Sequence, residues 1–560
     1  MRGSLFTALL GLAASVSAFT SGFEVRQEER TNVKLPVLAE ATLEQLSRGL
    51  QRRQFTSVDL VRAYTARILE VNGTLNVVTE INPDAVKLAR AADRRRRSGH
   101  LCGPLDGIPV LIKNNIATDD KMSNTAGSFA LLGATVSRDA TVAAKLRKAG
   151  AIILGKSNLS QWANYRSSNS SNGWSAYGGQ CNAAYYPNQD PSGSSSGSGV
   201  SSSIGLAWAA LGTETSGSIL SPANVNNLVG IKPTVGLTSR HLVIPISEHQ
   251  DTIGPMARTV TDAAYLLQAI AGRDPLDNYT SAIPGPVPDY VKALNPNALR
   301  GAKIGIASNL ISPTFNPTIR TAFNAAVDLL RASGATIVDA PFTGYQQYLA
   351  DNGTSVVLQS DFLTNLPQYL ELLERNPQSV TDLASVAAFT RGFAPEEFPS
   401  RNIRTWEQAL ALGYKNTDPR FWAAYQRNLF YGGEGGVLGA IERQNLTAIV
   451  LPTNLSPGIP ALVGSPVITV PLGFYPANQT VVRNSRGNLV ATAPGVPFGI
   501  SFLGKKFDES TLIGLAYAYE QKTKTRGLGK PYILPKTEIA DVKGKKARGE
   551  YKEEVDDDDE

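Results

Sequence analysis

The stretch Asp190–Pro222, DPSGSSSGSGVSSSIGLAWAALGTETSGSILSP, contains two serine- and glycine-rich turns. Serine carries a small hydroxyl that serves as nucleophile or proton relay, and glycine lets a ligand or neighbouring chain come close. Composition alone describes a flexible linker equally well. The two turns, however, enclose VSSSIGLAWAAL, which reads as an amphipathic helix, and lead into the strand-like LVGIKP, a setting a linker rarely has. A helix there would fix the separation of the turns.

A serine nucleophile needs a base, and the chain has only three histidines, His100, His241 and His249. No GxSxG elbow accompanies them, so a Ser-His-Asp triad lacks its usual setting. HExxH, CxxC and P-loop patterns are also missing, which withdraws support from zinc, redox and nucleotide chemistry and implies no cofactor. Lysine remains, provided burial lowers its pKa so that the neutral amine accepts a proton. Two lysines close apolar, strand-like runs: Lys113 in GIPVLIK and Lys156 in AIILGK. Each is either a snorkelling residue at a sheet edge or a functional amine, and the segment around Lys113, taken alone, favours the snorkel.

The elements that must position these residues alternate along the chain. Helices are expected at 42–51, at 57–71 behind an approximate capping box of Thr56 and Asp59, and at 83–97, where RRRR reads as a solvated helix end. Strand-like runs at 110–112 and 151–156 flank a helix at 140–148. LVGIKP, the capped helix TVTDAAYLLQAIAG, AKIGIAS, a helix at 319–332 and ATIVDA follow. Residues 343–433 read as helical and aromatic, mostly core; strands return at TAIVLP, SPVITVPL and FGISFLG before a helix capped by Asp508. This alternation predicts an α/β protein, a single large α/β/α domain around a mixed, mainly parallel twisted sheet that draws on both halves of the chain.

The 560 residues, 42% of them hydrophobic, suffice for such a core, and 54 Lys+Arg against 48 Asp+Glu does not imply nucleic-acid binding. Residues 1–18, with Arg2, an apolar run from Leu5 to Val16 and small residues up to Ala18, read as a secretory signal peptide. The mature chain is therefore expected to be secreted and soluble, without stable membrane insertion. In that setting the sequons at Asn72, Asn169, Asn278, Asn352, Asn445 and Asn478 are candidate glycan sites, and those at Asn158 and Asn454 are weaker ones. Cys102 and Cys181 could form a disulfide or remain separate thiols. Residues 19–40 are expected to form an arm, 41–525 the domain, and 526–560 a charged, disordered tail.

Several of these segments together resemble the amidase signature family, serine hydrolases of carboxamides that use a Ser-cisSer-Lys triad. The resemblance rests on GIPVLIKNN (107–115), SGSSSGS (192–198), GTETSGSILSPA (212–223), VGIKPTVGLTS (229–239) and DTIGPMARTVTDAA (251–264), in the family's order and spacing. It implies Ser218 as nucleophile, Ser194 as the cis-peptide serine and Lys113 as base, and returns Lys156 to a structural role. It further implies an oxyanion hole of backbone N–H groups from Thr215, Ser216, Gly217 and Ser218, a small-molecule amide as substrate, and an acyl-enzyme that water hydrolyses.

Asn114, Ser192, Ser196, Ser216 and Leu220 depart from the family pattern, and none belongs to the triad. Two further readings follow from the resemblance: an amidotransferase-type subunit, and a catalytically weak or inactive amidase-like binding protein.

Overall fold

The computed structural model describes residues 35–351 and 353–547. The expected leader, the arm up to residue 34, the Asn352 sequon and the tail beyond 547 lie outside the described residues.

Capping chemistry opens the first helices. Thr42 and Gln45 form a reciprocal capping box for Leu43–Gln51, and Thr56 and Asp59 form one for Ser57–Leu75, satisfying N–H groups that a first turn leaves without a carbonyl. Helix Ala85–Arg97 ends in its four arginines, where cations complement the macrodipole. Arg95 and Arg96 also reach the carboxylate of Asp106.

Eleven strands form one sheet: β1 (Val78–Ile81), β2 (Pro109–Lys113), β3 (Ile152–Ser157), β4 (Ala209–Glu214), β5 (Val229–Lys232), β6 (Thr252–Ala257), β7 (Lys303–Ile306), β8 (Thr336–Asp339), β9 (Ala448–Pro452), β10 (Val467–Phe474) and β11 (Pro497–Leu503). They lie in the order β1-β3-β2-β4-β6-β5-β10-β11-β9-β7-β8. Two parallel blocks, β3-β2-β4 and β9-β7-β8, are joined by antiparallel pairs through β6, β5, β10 and β11. The result is the expected mixed α/β sheet, with strands from both halves of the chain. Every residue of β2, β3 and β4 is buried, so both faces of this block are covered. Helices between 354 and 432 build a second apolar cluster around Phe362, Tyr369, Leu383 and Trp406. A buried ion pair between Arg166 and Glu396, at 3.0 Å, joins this region to the chain near the serine-rich turns.

Three expectations are corrected. The run enclosed by the two turns is half helix and half strand: Ser196–Ser203 is helical, and Ala209–Glu214 is β4. Gly205 breaks the run at φ +66°, where an added Cβ would lie 2.5 Å from Leu38 O, a position that requires glycine. The short helix is buried on all sides rather than amphipathic, its hydroxyls capturing carbonyls, as in Ser198 Oγ to Leu211 O at 2.9 Å and Ser202 Oγ to Met256 O at 2.9 Å.

Of the two readings open for the cysteines, the structure has the separate thiols, Cys102 exposed and Cys181 buried. The tail is ordered as far as 547: Ile539 and Val542 join the main core, and Glu538 accepts from Leu38 N–H at 2.8 Å and from Arg67. Through Leu38, fully buried, the end of the arm packs as well. Asp508 does occupy the N-cap of Glu509–Thr523, but its carboxylate accepts from Thr511 Oγ1 instead of a helix N–H.

Among the sequons, Asn169, Asn278, Asn445, Asn454 and Asn478 are exposed and Asn158 is buried. The Asn72 amide is spent on the fold, donating to Val78 O and accepting from the N–H groups of Val77 and Val78. Among the described residues no helix is long and apolar enough to cross a membrane.

Candidate active site

Lys113 stands at the end of β2, between β3 and β4, and is fully buried. Its ammonium lies 2.7 Å from Ser194 Oγ, 2.8 Å from Thr213 Oγ1 and 3.2 Å from Thr213 O. Burial pushes its pKa down to about 7, against the opposing charges of Asp251 and Glu214. An amine with that pKa exists in both protonation states near neutrality, so the short contact with Ser194 is chemically able to pass a proton in either direction.

Ser194 follows a cis Gly193–Ser194 peptide and directly precedes helix Ser196–Ser203. The approach is close: a Cβ at Gly193 would lie 2.3 Å from Ser160 Oγ. Ser194 O accepts from Ser160 N–H, and Ser195 N–H donates to Ser218 O at 3.1 Å, which ties the first turn to the second.

Ser218 lies in the turn after β4 and is 7% exposed. Its hydroxyl makes no hydrogen bond among the described residues, so no Ser194–Ser218 bond is formed in this conformation. The turn is shaped by Gly217 at φ +85° and by Glu214, whose carboxylate accepts from the N–H groups of Gly217, Ile219 and Leu220. Gly217 is therefore not a free oxyanion donor, contrary to expectation. The N–H groups of Thr215, Ser216 and Ser218 have no partner among the described residues.

The other candidates separate by geometry. Lys156 is as buried as Lys113, and its pKa is also pushed down to about 7, but it donates to Ile116 O at 2.6 Å and Asn124 Oδ1 at 2.7 Å. His249 pairs with Asp361, and His100 contacts Ser98; neither touches either turn. Glu248, His249 and Asp361 hold ligand-type atoms within 4.8 Å of one another. Asn416 Nδ2, however, donates to both Glu248 and Asp361, cross-linking the group through an amide.

A cavity of about 200 Å³ is lined by Asn115, Thr213, Thr215, Glu248, Asp251, Leu276 and Leu372; it reaches Thr213, which holds the Lys113 amine, but Lys113, Ser194 and Ser218 are not among its lining residues. Sequence reasoning missed Thr213, Glu214, Asn115 and Asp251 as parts of the site. The signal was present: the first two lie inside GTETSGS, Asn115 follows Lys113 by two, and Asp251 opens DTIGPM.

Fold and comparisons together define an amide-hydrolysing enzyme. The Amidase family profile matches residues 59–513, and the chain belongs to that family. A relative from Arthroderma benhamiae described as an amidase is 55% identical over 91% of this chain and 90% of its own length. A probable amidase of Arabidopsis thaliana is 40% identical over 87% of this chain and 91% of its own. Among solved structures, native peptide amidase from Stenotrophomonas maltophilia superposes with a TM-score of 0.79 at 37% identity, covering 90% of this chain and 100% of that one.

Proposed function

We propose that the protein is a secreted amidase that cleaves carboxamides through an acyl-enzyme on Ser218, with Ser194 as relay and Lys113 as base. The observation that carries this reading is the 2.7 Å contact between Lys113 Nζ and Ser194 Oγ, buried from solvent. Neutral Lys113 takes the Ser194 proton as Ser194 takes that of Ser218, whose hydroxyl must first rotate to reach Ser194. Ser218 Oγ then adds to the amide carbonyl. The N–H groups of Thr215, Ser216 and Ser218 stabilise the oxyanion. When the C–N bond breaks, Lys113 returns the proton through Ser194 to the leaving nitrogen, and ammonia or an amine departs. Water activated by the same relay cleaves the Ser218 ester and releases the acid.

Ser218→Ala is expected to abolish both amide hydrolysis and labelling by a serine-directed fluorophosphonate while circular dichroism stays native. Unchanged turnover in that variant sinks the mechanism. A panel of aliphatic, aryl and peptide primary amides identifies the substrate; the peptide amides are included because a related solved structure carries that name. Export rests on residues 1–18 alone, and N-terminal sequencing of the protein from culture medium should begin just after Ala18. Recovery of the uncleaved chain only inside the cell would refute it.

A further inference from the structure

One buried carboxylate outside the Lys113, Ser194 and Ser218 set governs the shape of the nucleophile turn. Glu214 ends β4 four residues before Ser218 and is 1% exposed. Oε1 accepts from Gly217 N–H at 2.7 Å, and Oε2 accepts from Ile219 N–H at 2.7 Å and Leu220 N–H at 2.9 Å. A single side chain thus holds three backbone donors on both sides of Ser218. Burial raises the Glu214 pKa on balance, and the Lys232 charge and the three N–H groups oppose that rise. Lys232, itself fully buried at the end of β5, is anchored on Ser465 O at 2.6 Å.

We propose that Glu214 is a positioning residue for amide hydrolysis that decides which N–H groups of the turn serve the oxyanion. This rests on Ser218 being the nucleophile. By taking the N–H groups of Gly217, Ile219 and Leu220, the carboxylate leaves those of Thr215, Ser216 and Ser218 unspent, and it fixes a turn that Gly217 would otherwise leave free to sample other shapes. Donors that are already oriented stabilise developing charge without reorganising during the reaction. Glutamine at 214 offers one acceptor oxygen and an NH₂ group that opposes at least one of the three N–H groups, so the turn must rearrange. Aspartate keeps the charge and both acceptors but is one methylene shorter.

The test compares Glu214→Gln and Glu214→Asp with the parent enzyme on the best primary amide of the panel. Folded Glu214→Gln is expected to lose at least a hundredfold in kcat with KM within about threefold, because the donors act on the transition state rather than on the bound amide. Glu214→Asp should recover to within about tenfold of the parent kcat. A folded Glu214→Gln with kcat within threefold of the parent, or a loss expressed mainly in KM, overturns the proposal. If Glu214→Gln does not fold, Glu214→Asp decides: lowered kcat at near-constant KM supports the role, and full kcat refutes it. An active Ser218→Ala would instead bring down the proposed function itself, so the two failures are distinguishable.

Discussion

Lys113 and Lys156 are neighbours in the sheet, Lys156 lying in register with Ile112, the residue before Lys113. Both are fully buried, and both are pushed by desolvation to a pKa of about 7. Their acceptors differ. Lys113 meets two hydroxyls, one of them on Ser194, which can give up a proton. Lys156 meets a backbone carbonyl and the Asn124 carboxamide oxygen, which also accepts from Thr118 N–H. Burial therefore makes an amine available as a base, but a partner with an exchangeable proton makes it useful. Lys156 pins residues 116–124 to the sheet, whereas Lys113 contacts Ser194, the relay of the proposed mechanism.

The sharpest way to break this contrast is truncation. Lys113→Ala should lower kcat on the order of 10³-fold, the scale of losing a positioned general base, with far-ultraviolet circular dichroism unchanged. Thr213→Val, which removes the second hydroxyl that holds the amine, should cost roughly 10- to 100-fold in kcat. Retained activity in Thr213→Val would mean that Ser194 alone orients Lys113. Lys156→Met should leave kcat within about threefold but cost ~1–3 kcal/mol of stability by orphaning two buried acceptors. The sign of its pH dependence follows from the depressed pKa. Between about pH 7 and 10 the unfolded chain binds a proton that folded Lys156 does not, so folding of the parent weakens as pH falls across that range. The stability gap between the parent and Lys156→Met should then narrow from pH 10 to pH 7 in chemical-denaturation curves, and a gap that widens would contradict the assigned partners.

Much of this contrast was legible in the sequence, though unevenly. The alternation of apolar runs and capped helices exposes the sheet strands because period and capping are local properties, as at Thr56 and Asp59. The candidate triad comes from the resemblance to the amidase signature family, whereas the segment around Lys113 alone favours a snorkelling residue. What the sequence does not reveal is which groups become partners. Gly217 carries an N–H like its neighbours, and nothing in the motif shows that the side chain of Glu214, three residues earlier, takes it. AAL looks helical as the end of VSSSIGLAWAAL, and its place between β2 and β6 makes it part of a strand. Ile539 and Val542 sit in a charged tail, and their burial depends on Arg67 and Leu38, some 470 to 500 residues away along the chain.

The smallest predicted effect separates the two amines most cleanly. The proposed mechanism needs neutral Lys113, so kcat/KM should rise with pH through about 7. The carboxylates facing this amine are Asp251, from the loop before β6, and Glu214, from β4; both favour its charged form. Lys156 instead faces Asp120, Glu80 and Asp139. Asp251 Oδ2 accepts from the N–H groups of Ile246 and Ser247, and Oδ1 accepts from Thr215 Oγ1. An asparagine can keep all three contacts, its oxygen taking the two N–H groups and its amide donating to the threonine hydroxyl. Asp251→Asn thus removes charge with little change of shape, and the Lys113 pKa should fall. The acidic limb should shift to lower pH by ~0.5–1 units, while Lys156→Met leaves that limb in place. A limb that ignores Asp251→Asn and disappears in Lys156→Met would transfer the titration, and with it the role of base, to the other lysine.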